Sequence, residues 1–140
     1  MILGLDISTS ITGATVINED GEVVHCASWD TRNKKKFPTL FHKADFIRER
    51  LVNEIEDQFY ISHIYIEQSL QSFRSGFSSA QTLSTLARIN GIVSWVSYKL
   101  FDIIPEYVSA SSARKLCGLK IPRGSNTKEQ VLNFVLANYP

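Results

Sequence analysis

Two carboxylates stand where an unassisted one is unfavourable. Asp6 interrupts the apolar run Ile2, Leu3, Leu5, Ile7, and Glu67 directly follows Ile64-Tyr65-Ile66. An unpaired carboxylate in a core strand loses several kcal/mol of solvation. Two of them on neighbouring central strands would repel by roughly 4 kcal/mol at ~4 Å and an effective dielectric of ~20. A shared divalent cation converts that repulsion into binding, because hard cations take oxygen ligands. Glu67 also falls at the carboxyl end of its strand, where open α/β sheets place their ligands. The plainer alternatives are that Asp6 accepts hydrogen bonds from the Ser8-Thr9-Ser10 turn and that Glu67 is a surface residue.

The elements needed to position this pair are readable along the chain. Ile2 to Ile7 predicts a central strand covered on both faces. A second strand is expected over Ala14 to Ile17, then a turn at Asn18-Glu19-Asp20-Gly21 and a third strand over Val23 to Trp29. Leu40, Phe41, Ala44, Ile47, Leu51 and Ile55 follow helical spacing, with Thr39 as cap. His63 to Glu67 predicts a fourth strand, and a Ser-rich loop leads to a helix from about Ser78 to Lys99, with Leu83, Leu86, Ile89, Val93 and Val96 facing a core or a partner. Ile104 to Val108 predicts a fifth strand, Ser111 a cap for a short helix to Cys117, and Thr127 a cap for the last helix, with Gln130 completing a capping box. The order βββαβαβαα predicts a single α/β domain over 1–140: one mixed five-stranded sheet, an antiparallel meander plus two parallel strands, flanked by helices.

Charge is balanced overall, 15 basic residues against 14 acidic, but unevenly placed. From Tyr107 to Lys128 there are Arg114, Lys115, Lys120, Arg123 and Lys128 and no acid; Arg32, Lys34, Lys35 and Lys36 make a second basic cluster. Such runs read either as a solvated face or as a phosphate-binding edge. No segment approaches the ~18 apolar residues of a membrane helix, and no basic residue precedes the N-terminal apolar run as in a secretory signal. Cys26 and Cys117 lack metal or disulfide spacing and fit a reducing compartment. Together these point to an intracellular protein rather than a secreted one. His25, His42 and His63 lack ligand spacing and read as structural, Cys117 reads as a small packed residue, and Ser109, Ser111 and Ser112 read as caps.

Ile2-Leu3-Gly4-Leu5-Asp6-Ile7-Ser8 with Thr12-Gly13, Tyr65-Ile66-Glu67-Gln68, the stretch Leu86 to Val93, and Gly118 followed by Lys128-Glu129-Gln130-Val131 resemble, in order and spacing, the motifs of RuvC-like Holliday junction resolvases, within the ribonuclease H-like superfamily. The resemblance implies a structure-selective, metal-dependent endonuclease acting on branched DNA, with Mg²⁺ (or Mn²⁺ as substitute) held by Asp6 and Glu67. It implies that Lys128 lies near the scissile phosphate, with Arg114 or Lys115 at an upstream basic position. It also implies that Leu70, with Phe73 as substitute, is a wedge at the junction, and that the helix around 78–99 forms a homodimer. Arg74, Lys120 and Arg123 join the expected DNA contacts. The family carries two further metal-binding positions on a final helix, and no Asp or Glu follows Glu129 here. The chain is therefore expected to be truncated at its C-terminus, to bind one cation weakly through Asp6 and Glu67, and to cleave little, while retaining DNA binding.

Two rival readings remain. Gly4 to Ser10 with Thr12-Gly13 also resembles the first phosphate loop of the actin-like ATPase and sugar kinase superfamily, which would need a further domain. A non-catalytic branched-DNA-binding protein of the same fold is the other.

Overall fold

Strand alternation decides which side of the sheet is covered. The computed structural model describes residues 1–69 and 79–139. Its first three strands, β1 (Ile2–Asp6), β2 (Ile11–Ile17) and β3 (Val23–Asp30), form the expected antiparallel meander. The turn between β2 and β3 is built by Asn18, whose Oδ1 accepts from the amides of Asp20 at 3.0 Å and Glu22 at 2.9 Å. Gly21 takes φ +80°, which disfavours a side chain. β4 (His63–Glu67) pairs parallel to β1, and β5 (Glu106–Val108) parallel to β4, giving the order β3-β2-β1-β4-β5.

In β1 and β4 every second residue is buried: Leu3 and Leu5, Ile64 and Ile66. Their side chains join Ala14, Val16 and Trp29 to form one wall of the core. Helix α1 (Leu40–Arg50), its π-helical extension (Leu51–Glu56) and helix α2 (Ala80–Phe101) form the other, through Ala44, Ile47, Leu51, Ile55, Ile89, Val93 and Val96. Each of the Leu, Ile and Val side chains contributes about 1.5–3 kcal/mol on burial. Cover on both faces of β1, expected from the apolar run, is not what the fold provides. Ile2, Gly4 and Asp6 face away from these helices and remain partly open, and Ile7 lies past the strand end.

Thr39 caps α1 as expected, its hydroxyl accepting from His42 N at 3.3 Å. The helix then widens to π geometry, keeping Leu51 and Ile55 buried while Glu54 Oε2 accepts from Trp29 Nε1 at 2.7 Å. α2 begins at Ala80 behind its cap Ser79 and ends at Phe101, each two residues later than expected, and its C-terminal cap Asp102 lies in the left-handed region at φ 55°. β5 is shorter than expected because Pro105 has no N–H for the ladder and restricts Ile104. Helix α3 (Ala110–Leu116) is capped by Ser109, whose hydroxyl accepts from Ser112 N at 3.1 Å; Ser111 is already inside the helix and cannot do so. Helix α4 (Thr127–Asn138) is likewise capped one residue early, by Asn126 accepting from Glu129 N at 3.2 Å. Neither α3 nor α4 contains a buried residue. Among the described residues no helix is long and apolar enough to cross a membrane.

Candidate functional site

Asp6 and Glu67 are the last residues of two adjacent parallel strands, and the register Leu5↔Ile66 brings them side by side. Both belong to the alternate set that faces away from α1 and α2, and both keep contact with solvent. Their carboxyl groups lie close enough to compete for a proton. Partial burial raises the affinity of both for that proton; for Glu67 the adjacent Asp6 charge adds to the effect, and Arg114 opposes it. The floor is kept low by Gly13, opposite Asp6 in the β1–β2 pair; a Cβ there would lie 3.9 Å from Asp6 Cβ.

Buried polar residues hold the backbone around the pair. Thr12 Oγ1 lies 3.3 Å from both the amide and the carbonyl of Ser8, accepting from one and donating to the other. Ser10 N donates to Ser8 Oγ at 2.9 Å. The Ser8-Thr9-Ser10 turn is thus closed on itself and on Thr12, and among the described residues the Asp6 carboxylate accepts no hydrogen bond from it. Thr31, fully buried, donates its hydroxyl to the carbonyls of Thr9 and Ser10, and Lys43 Nζ donates to Thr9 O. From α2, Asn90 Nδ2 donates to the Glu67 carbonyl at 3.1 Å, and Ser94 Oγ donates to Asn90 O at 2.6 Å. The sequence reading missed Thr31 and Asn90 as supports. The available signal for Asn90 was a polar residue on a helix face otherwise filled by Ile89 and Val93.

The basic residues divide. Arg114, half-buried in α3, is close enough for its charge to act on Glu67, so of the pair Arg114 and Lys115 it is the one coupled to the acids. Arg114, Lys115 and Lys120 line a pocket of about 270 Å³ with Ser111 and Gly118. Gly118, at φ +75°, ends α3 there, and Leu119 N donates back to Arg114 O at 2.9 Å. Arg123 is exposed, and Lys128 is exposed in the first turn of α4, with no hydrogen bond or ion pair to either acid. Leu70, Phe73 and Arg74 lie outside the described residues. On α2, Ile89, Val93 and Val96 belong to the core, whereas Ala87, Arg88, Gly91, Trp95 and Tyr98 are exposed. Cys117 is exposed, contrary to the packed position expected of it. His25 approaches Glu54 at 3.8 Å, while His42 and His63 contact Thr39 and Ser62 locally.

The donor set fits a divalent cation: adjacent carboxylates offer hard oxygens, and their mutual repulsion is what a cation relieves. Among the described residues no group of three or more His, Cys, Asp or Glu gathers at one place.

Neither a protein-family model nor a curated protein sequence matches the chain. Solved structures do. Thermus thermophilus RuvC in complex with a Holliday junction substrate superposes with a TM-score of 0.68 at 14% identity, covering 99% of this chain and 78% of that one. A second Thermus thermophilus RuvC structure gives 0.53 at 15% identity, covering 97% and 95%. The yeast mitochondrial Holliday junction resolvase Ydc2 gives 0.56 at 15% identity, covering 97% of this chain and 60% of its own length. With its meander, two added parallel strands and paired strand-end acids, the chain has the ribonuclease H-like fold of the RuvC-like Holliday junction resolvases.

Proposed function

We propose that the chain is a branched-DNA-binding protein of the junction-resolving nuclease type, with Asp6 and Glu67 as ligands for Mg²⁺ (or Mn²⁺) beside a DNA phosphate. The single observation that carries this reading is the meeting of two strand-end carboxyls on one open sheet face at neighbouring positions. When bound, the cation supplies Lewis-acid activation of water and stabilisation of the leaving oxygen. Asp6 and Glu67 would hold it as ionised carboxylates. Asn90 fixes the Glu67 backbone, and Gly13 leaves room above Asp6 for the phosphate. Arg114 favours the ionised form of Glu67 and, with Lys115, Lys120, Arg123 and Lys128, offsets phosphate charge. Leu70, Phe73 and Arg74, outside the described residues, are proposed as further DNA contacts. The exposed side of α2 around Gly91 and Trp95 is the proposed homodimer face, giving two sites suited to a two-fold junction.

The described residues bring together two acids rather than three, so weak cation affinity and slow cleavage are expected of these 140 residues. That same count favours, as a second reading, a protein of this fold that binds branched DNA without cutting it. The test pairs a four-way junction with a linear duplex in gel-shift and cleavage assays, with and without Mg²⁺. Expected are preference for the junction, cation-dependent nicking, and loss of nicking but not of binding in Asp6→Asn. Binding and integrity of the DNA that ignore both Mg²⁺ and Asp6→Asn would select the second reading. Equal affinity for the two DNAs would overturn both.

A further inference from the structure

The edge of the sheet that carries the acid pair also carries a fixed, unneutralised run of lysines. Between Asp30 and Asp45 the chain contains Arg32, Lys34, Lys35, Lys36 and Lys43 and no acid. Two successive antiparallel pairings give β3 the direction of β1, so the segment leaving β3 rises from the same edge as Asp6 and Glu67. That segment is held at both ends. Thr31 N donates to Ser10 O at 2.8 Å, tying it to the turn after β1. Asn33 Oδ1 accepts from the amides of Lys35 and Lys36 at 3.0 and 3.2 Å, Phe37 N donates to Asn33 O at 2.9 Å, and the Phe37 ring packs 5.0 Å from Phe46 of α1.

The charges on this turn differ in availability. Arg32 is engaged by Asp30, with Nη2 at 2.6 Å from Oδ2, and Lys43 is engaged by Thr9 O. Lys34, Lys35 and Lys36 are exposed and make no ion pair among the described residues, while residues 70–78 contain no acid that could supply one. Three like charges confined to one short turn repel, and the folded chain holds them there without a counter-charge. A polyanion relieves that repulsion.

Resting on the reading that the acid pair meets DNA, we infer that Lys34, Lys35 and Lys36 form a second phosphate-contacting surface, which takes the backbone of a duplex DNA arm. β3 is two strand spacings from β1, about 10 Å, or roughly three nucleotides of rise along one DNA strand. The lysine turn and the Arg114–Lys115–Lys120 pocket would then flank the acids, one from the β3 side and the other from the β5 side.

The test is the salt dependence of binding, read by fluorescence anisotropy with a labelled four-way junction and a labelled linear duplex in EDTA across about 50–200 mM NaCl. The triple variant Lys34→Gln, Lys35→Gln, Lys36→Gln is expected to lose about 2–3 from the slope of log affinity against log salt, at ~0.9 per phosphate contact. Affinity should fall at least about tenfold at the low-salt end, with an unchanged melting curve. Lys99→Gln, at the far end of α2, should leave the slope unchanged. An unaltered slope in the triple variant overturns the inference and leaves the acid-pair reading standing. A loss confined to the junction assigns the lysines to the crossover and overturns their assignment to an arm. Absence of DNA binding by the unsubstituted chain removes both.

Discussion

On one face of the sheet Leu3, Leu5, Ile64 and Ile66 are each no more than 3% exposed; on the other, their immediate neighbours Gly4, Asp6, Tyr65 and Glu67 keep contact with water. The covered face is sealed by two long helical segments and supplies the burial that holds the chain folded. The open face carries the two acids, and the basic side chain coupled to them, Arg114, comes from α3, which contributes no buried residue to the core. Residues one position apart on the same strand therefore serve different ends: one stabilises, the next is left free to bind. Side-chain alternation along a pleated strand makes this division possible without separating the two regions in the chain.

The contrast is sharpest at Ile66 and Glu67. Ile66→Ala is expected to destabilise the fold by about 2–5 kcal/mol through the cavity it leaves, measured by urea unfolding. Glu67→Gln should not lower the unfolding midpoint, and it should abolish Mg²⁺ binding in calorimetry. Similar destabilisation by both would show that the faces are not separable. Asn90→Ala bridges the two, since it leaves the Glu67 carbonyl unpaired from the core side. An intermediate loss of about 1–3 kcal/mol is expected, together with weakened Mg²⁺ binding; a stability loss without the binding loss would make Asn90 purely structural.

Smaller effects concern the open face alone. Both acids hold their proton more tightly in the folded chain than in the unfolded one. The stability they contribute is therefore full below about pH 4, the unfolded value, and is lost as pH rises through the raised folded values. In EDTA at neutral pH, Asp6→Asn should melt about 2–4 °C above the parent, and the gap should close towards pH 4. Parallel melting profiles across that range would show that the two groups do not titrate as a pair. Gly13→Ala should change stability by no more than about 0.5 kcal/mol, because the added methyl meets Asp6 Cβ at ordinary contact distance. A large loss there would mean the site is tighter than its geometry indicates.

Local signals made much of the fold legible. β4 was bounded correctly because Ile64 and Ile66 alternate up to Glu67, and Thr39 was a cap with no competitor beside it. Where two cap residues sit close together, as at Ser109 and Ser111 or Asn126 and Thr127, the choice depends on where the backbone leaves extended geometry, which composition does not encode. One-sided cover of β1 was hidden because Ile2 and Leu3 look equally apolar until helices occupy one side. The acid pair was legible because a carboxylate after an apolar run is conspicuous. Asn90 and Thr31 were not, because their partners are backbone carbonyls brought near only by folding.

The widened helix segment Leu51–Glu56 bears on how this chain can change length. A π turn is what a helix makes of one surplus residue. Deleting Asn53 would let the segment relax to ordinary α geometry, with Leu51 and the former Ile55 three apart and still on one face. The lost register would swing Glu54 away from Trp29, so that a shortened sequence would keep its hydrophobic interior and give up the indole–carboxylate tie. The surplus residue thus makes this helix a place where the gene could gain or lose a codon without dismantling the domain.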